Sequence, residues 1–278
     1  MLGLYSSLPG LTSEQSIELR EKQLERTIPL HHSFYAWSDT FPGPPEADDA
    51  VHGRTPVITW WGYYYSAIND GSQDALIRAR ADAVQDFHHT IYLAWSPEMN
   101  LSYPPWPNVH NPFDPAGFVA AWRHIHDIFR QEGATNVVWV WAPNSESNPG
   151  GLDPASPNNW KHYYPGDAYV DWVGADGYNW GNFALNQWRS LASFMGAIYR
   201  DYAGHKPFMI LETAANAFGG DKGAWLDQSR AWIEAHTGIR AFVYFDQYSA
   251  SDRDWRIDSP PSALAAFQRL ARDPVFAP

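Results

Sequence analysis

Thr90-Ile91-Tyr92-Leu93-Ala94-Trp95-Ser96-Pro97-Glu98-Met99-Asn100 reads as a buried strand that stops at a carboxylate. The run from Thr90 to Trp95 is β-branched, apolar and aromatic, the composition of a strand covered on both faces. Ser96-Pro97 breaks it, and Glu98 follows at once. An acid held at the end of a buried strand sits on a rigid, partly desolvated support, which is what a general acid needs. The question for the rest of the chain is whether Glu98 has a partner.

The pattern around this stretch repeats. Short apolar strands fall at residues 2–6, 32–37, 56–61, 90–95, 136–141, 170–175, 207–211 and 239–245. Between them lie helical patterns at residues 12–26, 70–88, 114–133, 188–202, 224–236 and 260–272. Thr12 and Gln15 stand at capping-box spacing, and Asp114 precedes Pro115 at a helix start. Residues 41–49 read as a Pro- and acid-rich loop, and residues 145–167 as a long loop of the kind that carries function. Eight strands alternating with helices, several of them continuously apolar, predict one (β/α)8 barrel of the TIM type, a single domain over residues 1–278. No Gly-rich phosphate loop follows any strand, so a nucleotide fold has no local support.

Composition narrows the function. The 278 residues carry 31 acids against 19 Lys and Arg, a net charge of −12. Nucleic acids and anionic membranes need basic patches, so neither is an expected partner. No apolar run approaches the roughly 18 residues of a membrane span. There is no cysteine, hence no disulfide and no Cys-ligated metal. The opening residues show no basic region followed by an apolar core. The expectation is an extracellular protein whose leader is absent from this chain, with a cytoplasmic one as the alternative. The chain holds 15 Trp, 15 Tyr and 14 Phe, 16% aromatic. Flat rings with one polar atom suit the faces and hydroxyl rims of sugars.

In such barrels the site lies where the strands end. The polar residues there are Asp39, Glu98, Asn144, Asp176, Tyr178, Glu212, Asp246 and Gln247. Glu98 ends strand four and Glu212 ends strand seven, so the two are expected across the mouth from each other. Two carboxylates across a sugar-sized gap are the apparatus of glycoside hydrolysis, with roughly 5–5.5 Å between them in a retaining enzyme. Trp60, Trp61, Tyr63, Tyr64 and Tyr65 leave strand three together, and about half should turn inward because side chains alternate along a strand. Trp61, and Trp106, Trp160 and Trp180 in loops, are candidate sugar platforms. His31–His32, His88–His89 and His124 with His126 lack the spacing of metal ligands on one helix face and read as structural or solvated. The acids Glu46, Asp48 and Asp49 read as a solvated loop rather than a calcium site. No metal and no cofactor are expected.

Glu98-Met99-Asn100 with the Tyr/Pro/Trp loop after it resembles the acid/base motif of glycoside hydrolase family 26. Residues 138–144, Val-Trp-Val-Trp-Ala-Pro-Asn, are similar to that family's strand-five motif. The block from Tyr163-Tyr164-Pro165-Gly166-Asp167 to Asp176-Gly177-Tyr178-Asn179 is similar to its most distinctive segment, and Lys206-Pro207 leading to Glu212 resembles its nucleophile strand. The resemblance implies a clan A barrel acting with retention, Glu98 as acid/base and Glu212 as nucleophile. It implies that Tyr178 hydrogen-bonds the nucleophile, that Asp176 supports the site, and that Trp255 forms a sugar platform. It implies a polysaccharide substrate, first of all β-1,4-mannan in an endo-acting monomer, with β-1,3-xylan, mixed-linkage glucan or a bacterial exopolysaccharide as alternatives. The family usually has His before the acid/base, where this chain has Pro97; Tyr103 stands where Trp is common, and Leu101 replaces a frequent Gly. These departures bear on the sugar rather than on the reaction. A reading of another class is a carbohydrate-binding barrel without catalysis.

Overall fold

A computed structural model describes residues 1–101, 111, 113–146, 153–183 and 187–276. The strands are β1 (Leu2–Ser7), β2 (Leu30–Tyr35), β3 (Thr55–Trp60), β4 (Ile91–Trp95), β5 (Val137–Trp141), β6 (Trp172–Asp176), β7 (Phe208–Thr213), β8 (Ile239–Ala250) and a short β9 (Arg253–Asp254). They form one sheet in chain order, and β1 also pairs with β8, Leu2 opposite Phe242 through Ser7 opposite Gln247. That closes eight strands into the expected (β/α)8 barrel, and β9 folds back antiparallel on β8. By contact the chain divides into two compact units, Met1–His32 with Ala175–Pro278, and Ser33–Gly174.

In the first unit Gly3 shows how closely the strands approach. A Cβ there would lie 2.9 Å from both the Leu30 Cβ on β2 and the Val243 Cγ2 on β8. Helices α1 (Ser13–Leu24), α6 (Leu191–Tyr202), α7 (Lys222–Glu234) and α8 (Pro261–Ala271) belong to this unit. Thr12 caps α1 reciprocally with Gln15, as their spacing predicts. Leu2, Leu4, Ile17, Ile210, Phe242 and Phe267 are fully buried. Among them sits one ion cluster. Arg20 on α1, 1% exposed, donates to Asp246 and to Asp258 at 2.7 Å each. Ser6 and the Ile257 amide also donate to Asp246. Asp246 was counted among the strand-end candidates, but its oxygens serve this cluster.

The second unit holds α2 (Pro44–His52), α3 (Tyr65–Asn69), α4 (Asp74–Phe87) and α5 (Pro115–Gln131). Helix α2 replaces the loop expected at residues 41–49. Pro44 and Pro45 fall at the start of the helix, where a missing N–H costs nothing, and Glu46 takes the Gly43 amide at 2.7 Å. Nor are its acids solvated. Glu46 also accepts from the Tyr35 hydroxyl, and Asp48 and Asp49 hold Arg54. The aromatic content largely becomes core. Trp37 stacks on Trp60 at 4.4 Å and Trp95 on Phe118 at 5.4 Å. Trp160, expected as a platform, is 2% exposed, in a 3-10 turn over Trp160–Tyr163.

Replacing Arg20 by Met leaves the fully buried Asp246 without its cation. The expected loss is about 3–5 kcal/mol of unfolding free energy by urea titration, against near-neutral substitution of the exposed Val51.

Candidate active site

Glu98 lies in the unit of residues 33–174. Past Trp95 the chain leaves β4 through two left-handed residues, Ser96 at φ 50° and Glu98 at φ 52°, on either side of Pro97. A side-chain-bearing residue pays roughly 1–2 kcal/mol for that conformation, so the surroundings must hold it. They do so through the backbone. Ser96 N–H donates to Trp60 O at 2.8 Å, Glu98 N–H to Ala142 O at 2.8 Å, and Leu101 N–H to Glu98 O at 2.9 Å. Beyond β5, Asn144 and Asn100 bond each other twice: Asn100 Nδ2 to Asn144 O at 2.9 Å, Asn144 N to Asn100 Oδ1 at 2.8 Å. The Asn144 side chain is oriented by its other end, because its Oδ1 accepts the Glu146 amide. Its Nδ2 therefore faces Glu98 and donates to Oε1 at 2.6 Å. Glu98 is 5% exposed. Burial pushes its carboxyl up to about 7, against the pull of the Asn144 bond, which favours the ionised form. A carboxyl poised there carries a proton it can give at neutral pH.

Glu212 lies in the other unit, at the end of β7, and is 6% exposed. Its carbonyl accepts the Gly177 amide, and Asn179 N–H donates to Ala214 O, so the ladder between these two segments runs past the strand ends. That register brings Tyr178 over Glu212, and its hydroxyl donates to Oε2 at 2.9 Å. The Tyr178 ring is walled by Phe245, Trp255 and Trp180 at 5.4–5.7 Å. Asp176 is fully buried at the end of β6. Tyr5 on β1 stacks on Phe245 at 4.8 Å, and its phenol is pushed up by burial and, less, by the Glu212 charge.

The site residues read from the sequence thus separate into groups. Glu98 and Asn144 meet in one unit; Glu212, Tyr178, Trp180 and Trp255 meet in the other, with Asp176 at the end of its strand. Trp255 is 3% exposed, so its ring is a wall of this cluster and offers a sugar little open face. Trp61 and Tyr64 are open, at 41% and 43%, while Trp60 and Tyr65 turn inward; the split is not the strand alternation expected, because β3 ends at Trp60 and Tyr65 begins α3. Tyr103 and Trp106 lie outside the described residues. Sequence reasoning missed Tyr5, whose alternation on β1 was the available signal, and the role of Asn100, which no local pattern announces. Of the histidines, His31 meets Ser13, His124 meets Asp74 at 2.6 Å, His88 and His89 are exposed, and the buried His32 ring is pushed down to about 3 by burial and by His31.

Residues 106–204 match the Glycosyl hydrolase family 26 sequence family. Endoglucanase H of Acetivibrio thermocellus is 34% identical over 266 residues, which is 92% of this chain and 29% of that protein. Beta-1,3-xylanase TXYA of a Vibrio species is 31% identical over 108 residues, 38% of this chain and 21% of that protein. The chain thus spans less than a third of the length of these curated relatives. Among solved structures, an endo-beta-1,4-mannanase double mutant of Cellulomonas fimi superposes with a TM-score of 0.67 at 16% identity, covering 99% of this chain and 71% of that one. The beta-mannanase BoMan26A of Bacteroides ovatus gives 0.66 at 14%, covering 99% and 89%. At such identities the structures speak for the fold. The family whose motifs the sequence resembles is the one that residues 106–204 match.

Asn144→Leu removes the amide donor that favours the ionised Glu98. The carboxyl should then titrate above its native value of about 7, as read by the infrared carbonyl band of the protonated acid; a value at or below 7 would contradict the assignment of that bond.

Proposed function

We propose that this chain is a retaining β-glycoside hydrolase that cuts a β-linked polysaccharide by double displacement. The observation that carries the reading is a pair of nearly buried strand-end carboxyls, each with its own hydrogen-bond donor. Glu98 is buried and raised to about 7, suited to hold a proton, while Glu212 receives the Tyr178 hydroxyl, which steadies a carboxylate and aims its other oxygen. Glu212 attacks the anomeric carbon as Glu98 gives its proton to the departing glycosidic oxygen. The sugar is then held on Glu212 as an ester. Glu98, now ionised, takes a proton from water, the hydroxyl adds to the anomeric carbon, and the ester breaks. Both residues return to their starting states, and no cofactor enters the balance. Asp176 supports the site from beneath, and Trp61, Trp180 and the residues Tyr103 and Trp106 bind sugar.

For the sugar, the family resemblance suggests β-1,4-mannan first. One sequence relative favours a second reading. The chain is 34% identical to an endoglucanase and 14–16% identical to the two mannanase structures named above, and Pro97 replaces the histidine expected next to the acid/base. We therefore place a β-glucan, mixed-linkage or β-1,4, ahead of mannan and β-1,3-xylan. A polymer is met outside the cell, where the reading places the enzyme, acting as a monomer in endo fashion.

The test is a panel of barley β-glucan, carboxymethylcellulose, galactomannan and β-1,3-xylan with product analysis. Cleavage of the glucans is expected; cleavage of galactomannan alone would return the first reading, and binding without cleavage of any would support the carbohydrate-binding barrel instead. Glu212→Ala should cost at least about 10³-fold in kcat/KM. Glu98→Gln should cost about 10²–10⁴-fold on polysaccharide, and much less on a dinitrophenyl glycoside, whose leaving group needs no proton. Because Glu98 must be protonated to act, kcat/KM should fall tenfold per pH unit above its value of about 7; a profile flat from pH 6 to 9 would remove Glu98 from the acid role.

A further inference from the structure

Three loops of the unit containing Glu212 meet at one buried side chain. Asn216 lies four residues past Glu212 and is fully buried. Its Nδ2 donates to Trp180 O at 3.2 Å and to Asp252 O at 2.8 Å, and its Oδ1 accepts the Asp254 amide at 3.2 Å. Its own amide donates to Asn179 O at 2.9 Å. One amide group thus joins the loop after β6, which carries Tyr178 and Trp180, to the β8–β9 turn, which leads to Trp255. The loops are also in backbone contact. Gly181, at φ +65°, has Phe218 O 1.9 Å from where a Cβ would stand, so no other residue fits there without moving one loop.

A second residue of the same segment closes the far side. Lys222, at the start of α7, is fully buried, and its Nζ donates to Arg256 O at 2.7 Å and Asp254 O at 3.4 Å. Those carbonyls flank Trp255, whose own amide donates to Gln247 O at 2.9 Å. Burying an ammonium is costly, and here it is spent on two backbone carbonyls rather than on a carboxylate. Burial pushes the amine down to about 7, against the pull of Asp254, Asp246 and Asp258. Charged or neutral, it keeps protons to donate to both carbonyls.

We propose that Asn216 and Lys222 are positioning residues: they clamp the loops behind Tyr178 so that its hydroxyl is held on Glu212 in the geometry for attack. The chain of contact is short. Asn216 and Lys222 fix residues 252–256, Trp255 and Trp180 wall the Tyr178 ring, and Tyr178 bonds Glu212 at 2.9 Å. Neither residue touches the substrate. The inference rests on the proposed role of Glu212 and adds what holds that role in place.

The experiment is covalent trapping with 2,4-dinitrophenyl 2-deoxy-2-fluoro-β-cellobioside, run beside its β-mannobioside counterpart. A Glu212 oxygen bonds to the anomeric carbon, the bond to the aryl oxygen breaks, and dinitrophenolate leaves with the electron pair; no proton from Glu98 is required. The rate is read from dinitrophenolate release and the site from the mass of the labelled peptide. The native protein should be labelled once, on Glu212. Asn216→Ala and Lys222→Met, with melting curves and near-UV circular dichroism showing them folded, should be labelled about 10²-fold more slowly. Asn216→Ser, which keeps a polar atom on a shorter stem, serves should the alanine fail to fold. Tyr178→Phe should also slow labelling, and the Asn216→Ala/Tyr178→Phe pair should be no slower than the slower single change, because both act through one hydroxyl. Labelling of the folded variants at the native rate, or a pair whose effects multiply, would overturn the clamp. No labelling of Glu212 in the native protein would instead overturn the proposed function, and the clamp with it.

Discussion

A carboxyl group that is 5% exposed, with one oxygen 2.6 Å from an amide nitrogen, cannot ionise as it does in water. That constraint on Glu98 organises its whole neighbourhood. The chain must leave β4 and turn within three residues to present the carboxyl, and it does so through two left-handed residues around a proline. Such an elbow is strained, and it is held because the bonds from Trp60, Ala142 and the Asn100–Asn144 pair leave the backbone little choice. Asn144 has a double duty. It locks the loop after β5 to the loop after β4, and its amide keeps the acid from drifting further upward. Burial raises the carboxyl and the Asn144 bond lowers it, and its value of about 7 is the balance of the two.

Glu212, 6% exposed, is nearly as buried as Glu98 and has a donor of a different kind. Its support is a hydroxyl donor, and that donor is set by a cluster of rings whose loops are tied together below. Both carboxyls are nearly buried and each accepts a side-chain bond; they differ in the donor, an amide on Glu98 and a phenol hydroxyl on Glu212. In the proposed reaction, such surroundings let one residue type fill both the acid and the nucleophile roles. The buried Arg20–Asp246 pair belongs to a different task, holding α1 to the end of β8. It shows that a strand-end acid is not by position alone a reactive one.

Much of the fold was legible because its signals are local. Continuous apolar strands, caps at Thr12 and Asp114, and a carboxylate after a Pro break are read within a few residues. Both glutamates were found by the same rule, an acid just past a buried run. Most of what escaped was long-range, with one local exception. Helix α2 was hidden because two prolines and three acids look like a loop until Pro44 and Pro45 are placed at its first turn. Trp160 looked like an exposed ring in a long loop, and only tertiary packing could bury it. Trp255 looked like an open platform for the same reason. Asn216 and Lys222 carried no signal at all, since their partners lie 32 to 38 residues away in sequence.

The central claim is that Glu98 and Glu212 act in turn on one anomeric carbon, through a glycosyl ester. Each displacement inverts that carbon, so two restore its configuration. Proton NMR of a polysaccharide digest, recorded within the first minutes and before mutarotation, reads the anomeric proton of the newly released reducing end. The account predicts that the β anomer forms first and the α anomer appears later at the rate of mutarotation. An α anomer formed first would mean a single displacement by water, and would contradict the assignment of Glu212 as nucleophile.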